Sequence, residues 1–486
     1  MKKSVFFRRP VVVWLGVLLL CLVWNYCFFL RPAPHREQAY IFGWDDNLYF
    51  AWCRSLALDG DLDFANDFDF VAHWKGAGPT QEVFAEFMGR GERTPAGRVP
   101  NITGCGFGFM ALPLEFVSRG MAATFSMVTG TAVSPFASIY CLAFIFTSIL
   151  LSFAGLAITF RILRERFGEP AAFRAIVVGM LGLATGYYIW FELTMAHAVE
   201  FGVSAFFVAL MLRWHSAVLA EEVSPRRVLL GALWMGVMLG VCCMTRFPAI
   251  ALSAAPTVLG LRAAWRRRDR IPLISGSAVA AAVGAIIGFL PQMISWKYLY
   301  GAWFVNSYDV TVRFRPIDVW NVFFDSRIGL FLWTPLAALA LAGLIVGARR
   351  GDDLCIAMSA VFLIFLWEFS SCDLFIPGGP GHAFGMRYFV DGAFLFFLGL
   401  AVVFQWLGTL KLESWARRTL LSVVVALIAW NLYFETCYRA QIQPHGEPMA
   451  FGLLFGDWQK WRGQFMEDIN LPKRLFQKRF PLFTRL

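Results

Sequence analysis

Phe42-Gly-Trp-Asp-Asp-Asn-Leu-Tyr-Phe50 sets two adjacent carboxylates, Asp45 and Asp46, just beyond a long apolar run at residues 11–30. Neighbouring carboxylates near a bilayer repel each other and lose hydration, so their retention there has a cost. Their placement points to chemistry on a lipid-borne substrate at the outer membrane face. The rest of the chain gives that reading its frame.

Of 486 residues, 58% are hydrophobic and only 16% are charged, with a mean hydropathy of +0.59. Soluble proteins carry about 25% charged residues. Apolar runs of roughly 20 residues recur, each long enough to cross a bilayer as a helix. The composition implies an all-α polytopic membrane protein. The net charge of +10 gathers in short loops, as at Arg161, Arg164, Arg166 and Arg174, at Arg262, Arg266, Arg267, Arg268 and Arg270, and at Arg349 and Arg350. That is the positive-inside distribution, which sets topology and argues against nucleic acid as a partner. The ten cysteines show no metal-ligand spacing and no readable disulfide framework.

With the N-terminus inside, eleven spans follow at about 11–30, 133–160, 174–191, 196–214, 228–245, 247–264, 271–295, 328–348, 354–371, 387–408 and 419–436. This arrangement puts the basic short loops on one side. A first outside loop, about 31–132, is expected to be ordered and partly helical. Within it, Pro113 and Glu115 interrupt an apolar stretch at 104–125, which suits a helix lying in the interface. The expected division is a transmembrane module over 1–436 and an outside tail over 437–486. The tail's basic and aromatic residues suit membrane lipids.

Several outside segments carry candidate chemistry. On a helix, Asp46, Tyr49 and Phe50 share a face, and Arg54 follows near the next turn. Further segments are Met195-Ala-His-Ala198, Thr245-Arg-Phe-Pro248, Pro291-Gln-Met-Ile-Ser-Trp-Lys297, Arg327-Ile-Gly-Leu-Phe-Leu-Trp-Thr-Pro335 and Gly385-Met-Arg387. The acidic pair after a first span, followed by a tyrosine, an arginine and a Leu-x-x-x-Gly-Asp ending, resembles the GT-C superfamily of membrane glycosyltransferases. The similarity extends to lipid A aminoarabinose transferases and protein O-mannosyltransferases, which carry a comparable Asp-Glu pair where this chain has Asp45-Asp46. It covers most of residues 1–400.

The resemblance implies a GT-C-like bundle of about eleven helices and an inverting transfer of a hexosyl or pentosyl unit. The donor would be a polyprenyl-phosphate-linked sugar, and the acceptor a lipid, a glycan or a protein. It also implies that Asp45 is the catalytic carboxylate, with Asp46 beside it to orient it or to hold a divalent metal ion. Asp45, Asp46 and Glu192 are the candidate metal ligands. Both aspartates equally suit the N-terminus of a helix starting near Asn47.

A donor phosphate calls for cations at the outer boundary, where guanidinium forks bind phosphate oxygens. Arg246, Lys297, Arg327 and Arg387 are the candidates, and Tyr49, Arg54, His197 and His382 complete the expected substrate-binding set. A lipid-linked saccharide flippase without chemistry is the alternative, but the ionisable residues crowd the outer boundary rather than the span centres. The expected location is the bacterial cytoplasmic membrane, with the site facing outward.

Overall fold

The computed structural model describes residues 41, 43–74, 79–309, 318–371, 383–410, 413–439 and 462–463. The expected first span, His382 and nearly all of the C-terminal tail lie outside these residues.

The described chain is helical and contains no strand. Four helices build the first loop: α1 (Trp44–Arg54), α2 (Ala65–His73), α3 (Pro79–Gly89) and α4 (Gly106–Thr129). Next come α5 (Ser138–Phe167), α6 (Glu169–Gly182), α7 (Ala184–Trp190), α8 (Ala196–Leu219) and α9 (Pro225–Thr245). A 3-10 turn over Phe247–Ser253 leads into α10 (Ala254–Arg266), followed by α11 (Ile271–Tyr300), α12 (Val319–Phe324) and α13 (Leu330–Trp333). The last part holds α14 (Leu336–Arg349), α15 (Asp353–Ser371), a 3-10 turn at Arg387–Gly392, α16 (Phe394–Thr409) and α17 (Ser414–Arg439).

Each expected span within the described residues has a helical counterpart. Seven helices are long and apolar enough to cross a membrane. The pair α6 and α7 adds an eighth, bent by 77° where Leu183 is extended. Two shorter apolar helices, α14 and α16, fill the remaining positions. The chain is a multi-pass membrane protein. Helix α4 does not reach the hydropathy of a span. It carries Pro113 in mid-helix, buries Glu115, and exposes Phe116, Met121 and Phe125, as a helix lying along an interface would.

Small residues let the spans approach closely. Gly284 of α11 packs on α9, where an added Cβ would lie 2.1 Å from the Leu233 carbonyl oxygen. Lipid offers apolar helices little hydrophobic reason to associate, so close backbone packing of this kind holds them together. At the basic end of the bundle, Arg166 pairs with Asp352 at 2.7 Å, and Arg262 and Arg266 both pair with Asp353. These contacts gather three of the basic loops at one end, which leaves the candidate residues at the other.

Candidate active site

The first loop is fastened to the ends of the spans by buried polar contacts. Cys105 N–H donates to Gln292 Oε1 at 2.8 Å, and Asn101 Nδ2 donates to the Leu48 carbonyl at 2.9 Å. Gly106 begins α4 directly against Thr245, where a Cβ would meet the Thr245 backbone nitrogen at 2.5 Å. Any side chain there would push the loop away from the hinge that carries Arg246.

Arg246 leaves the end of α9 in an extended conformation, φ −149° and ψ 116°. Its Nε donates to Asp391 Oδ2 at 2.7 Å, and its Nη1 donates to the Tyr49 hydroxyl at 3.3 Å. The other oxygen of Asp391 lies 2.9 Å from His197 Nδ1, at the start of α8. Asp391 and His197 are fully buried, whereas the Arg246 side chain keeps 11% exposure. Four elements therefore meet at Asp391: α1 through Tyr49, α8, the end of α9, and the 3-10 turn before α16.

Arg387 opens that same 3-10 turn. Its Nη2 lies 3.4 Å from Asp45 Oδ2, and its Nε is buried without a hydrogen-bond partner. The two guanidiniums share the ring of Tyr388, Arg246 at 5.8 Å and Arg387 at 5.3 Å from its centroid. Two like charges gathered this closely beside Asp45 favour an anion that can engage both.

Asp46 behaves differently from its neighbour. It sits in the first turn of α1, where Oδ2 accepts from Gly43 N–H at 3.0 Å, while buried Oδ1 has no partner. Burial, then the charges of Glu192 and Asp45, push its carboxyl up to about 8, against the opposing Gly43 and Thr194 hydrogen bonds. Glu192 is likewise raised, chiefly by burial, although it accepts from the Tyr187 hydroxyl at 2.9 Å. Of the adjacent aspartates, then, Asp46 holds its proton near pH 7, while Asp45 is ion-paired.

An Asp46 proton bound up to about pH 8 in the folded chain is lost from the unfolded chain near pH 4. Its stabilising contribution is complete below pH 4 and disappears as pH rises to 8. Glu115, raised to about 8 chiefly by burial, acts in the same sense, whereas Asp67, at about 6, has finished by then. Thermal unfolding in detergent should therefore show a falling Tm from pH 6 to pH 9. Asp46→Asn should remove part of that fall, and an unchanged slope would contradict the assignment.

The structure brings Asp45, Asp46, Tyr49, Glu192, His197, Arg246 and Arg387 together, and it engages three other candidates elsewhere. Arg54 is buried in ion pairs with Asp59 and Asp67, its guanidinium 4.2 Å from the Phe136 ring centroid, so it braces the first loop. Arg327 folds back on Asp325 at 3.0 Å. Lys297 donates to the Gly301 carbonyl at 2.7 Å and closes α11. Among the described residues no three His, Cys, Asp or Glu side chains stand as a group able to hold a metal ion. Asp45, Asp46 and Glu192 thus do not assemble into a three-carboxylate donor set.

Asp391 was not among the sequence candidates. Neither were Glu200 and Glu368, both carrying buried carboxylate oxygens without a hydrogen-bond partner inside expected spans. The signal was an acid inside an apolar run, which is costly enough to mark a functional position by default.

No family model and no curated protein sequence matches the chain. Among solved structures, ArnT from Cupriavidus metallidurans bound to undecaprenyl phosphate superposes with a TM-score of 0.50 at 16% identity, over 96% of this chain and 72% of that one. The chain shares the fold of that protein. The apo state of the same ArnT gives a TM-score of 0.46 at 13% identity, over 96% and 74%. In this fold the cluster around Asp45 and Arg387 is formed by the first-loop helix, the hinge after α9 and the turn before α16.

Proposed function

We propose that the chain is an inverting GT-C glycosyltransferase that takes a hexosyl or pentosyl unit from polyprenyl phosphate. The acceptor is a lipid, glycan or protein at the outer face of the bacterial cytoplasmic membrane. The observation carrying this reading is the pair of guanidiniums, Arg246 and Arg387, gathered on Tyr388 beside Asp45. The ArnT likeness supports it, since that protein was crystallised with undecaprenyl phosphate.

In the proposed reaction Asp45 takes the proton from the acceptor hydroxyl or amine. The acceptor atom bonds to the anomeric carbon from the face opposite the phosphate. The bond from that carbon to the phosphate oxygen breaks, and its electron pair leaves with the polyprenyl phosphate. Arg246 and Arg387 neutralise the charge gathering on that oxygen, the kind of fixed electrostatic help that is commonly the largest catalytic contribution. Tyr49 and Asp391 hold Arg246 in place for this.

The test uses purified protein, an acceptor-containing membrane extract and a panel of polyprenyl-phosphate sugars labelled in the sugar. Transfer with release of polyprenyl phosphate is expected for one donor, which identifies the sugar. Arg387→Lys should raise the donor KM by roughly tenfold, because a point charge replaces a two-pronged contact. Movement of an intact lipid-linked sugar across proteoliposomes, without cleavage, would favour the flippase instead.

A further inference from the structure

The two arginines have different carboxylate partners. Arg246 is tied to Asp391 at 2.7 Å, and Asp391 is fully buried and also bonded to His197. That pair is enclosed and fixed on both sides. Arg387 is joined to Asp45 by one longer contact of 3.4 Å, and Asp45 keeps 28% of its side chain exposed. Arg387 also retains a buried Nε–H without an acceptor. One edge of its guanidinium is therefore under-satisfied: the ring of Tyr388 packs against it, Nε–H lacks an acceptor, and the Asp45 contact beside it is long and partly exposed. A phosphate group, with several anionic oxygens, can take both the Asp45-facing Nη2–H and the Nε–H, a two-pronged contact that one carboxylate oxygen does not supply.

We propose that Asp45 serves Arg387 as an internal anion that the donor phosphate displaces, so that the base is released for the acceptor only once the donor is seated. This rests on the glycosyl-donor reading above. Until the phosphate arrives, the Asp45 oxygen facing Arg387 is engaged by that cation. Once the phosphate holds Arg387, that oxygen faces the acceptor. The expected order is donor first, acceptor second.

Removing the charge of the base should improve binding of the lipid phosphate, because its competitor for Arg387 is gone. Farnesyl phosphate is the probe, titrated against the full-length protein in detergent, with inorganic phosphate in parallel to separate headgroup from tail. Asp45→Asn should bind farnesyl phosphate about threefold to tenfold more tightly than the wild type, the range expected for losing one partly exposed ion pair. Inorganic phosphate should bind far more weakly but show the same ratio.

The gain must run through Arg387, so it should vanish when Asp45→Asn is combined with Arg387→Gln. Asp45→Ala provides a second variant should the asparagine fail to fold. Unchanged or weaker farnesyl phosphate binding in the Asp45 variants would overturn the displacement, as would a gain that survives Arg387→Gln. Failure of the wild type to bind farnesyl phosphate would overturn the donor reading itself, and this inference with it.

Discussion

Asp45→Asn is expected to lower glycosyl transfer by roughly 10²–10⁴-fold, the range a positioned general base contributes. The asparagine keeps the shape of the side chain and its reach to Arg387, so the folded structure should persist and Tm should stay close to that of the wild type. In the proposed reaction, only the ability to receive the acceptor proton is lost. The adjacent residue is the informative control. Asp46 is held near pH 7 in its protonated form by burial and by Glu192. An asparagine oxygen can still accept from Gly43 N–H, so Asp46→Asn should cost about tenfold or less. The measurement is transfer of labelled sugar from the donor identified by the panel, with melting curves alongside. Equal losses in the two variants would remove the distinction between the aspartates, and an active Asp45→Asn would remove Asp45 as the base.

That contrast also shows how far the sequence could be read. The spans were legible because each is a long apolar run ended by arginines or by a break, and Arg166, Arg262 and Arg266 meet their acidic partners at one end of the bundle. The bend between α6 and α7 was not legible. It falls in Leu181-Gly-Leu-Ala184, as apolar as the helices on either side, and depends on Leu183 being extended. Within the site, the acidic pair drew attention through its rarity near a membrane, but the unequal environments of Asp45 and Asp46 come from Glu192 and Arg387, roughly 150 and 340 residues away.

Cations near an interface look alike in a sequence whether they hold a ligand or a neighbouring acid. Arg327 stands two residues after Asp325, its partner, and Arg54 stands five and thirteen residues before Asp59 and Asp67. Those local acids were the available clue that both arginines brace the fold. Asp391 was overlooked for the opposite reason. It lies in Tyr388-Phe-Val-Asp-Gly392 at the start of an expected span, where the apolar neighbours dominate any window average.

Asp391 also supports the second large prediction. Its two oxygens hold His197 and Arg246, and no water reaches it. Replacing it by alanine strands a buried guanidinium and an imidazole nitrogen together, and loss of one partner from a buried pair costs about 3–5 kcal/mol. Asp391→Ala should therefore be strongly destabilised. Asp391→Asn should be less so, since its amide oxygen can still accept from one of the two partners while its amide nitrogen faces the other. The asparagine variant is the one to assay for function, at a temperature where it remains folded. If Asp391 only stabilises the bundle, Tm falls and affinity for farnesyl phosphate is unchanged. If it positions Arg246, affinity falls by about tenfold, because a guanidinium released from its anchor must be ordered again by the ligand. Simple charge counting predicts the reverse, since removing any carboxylate beside two arginines should favour an anion. The buried, doubly bonded geometry of Asp391 argues that orientation outweighs charge there, whereas the single open contact of Asp45 argues that charge outweighs orientation. Asp45→Asn and Asp391→Asn should therefore move lipid-phosphate affinity in opposite directions, and a shift of the same sign in both would show that the two arginines are not held for different purposes.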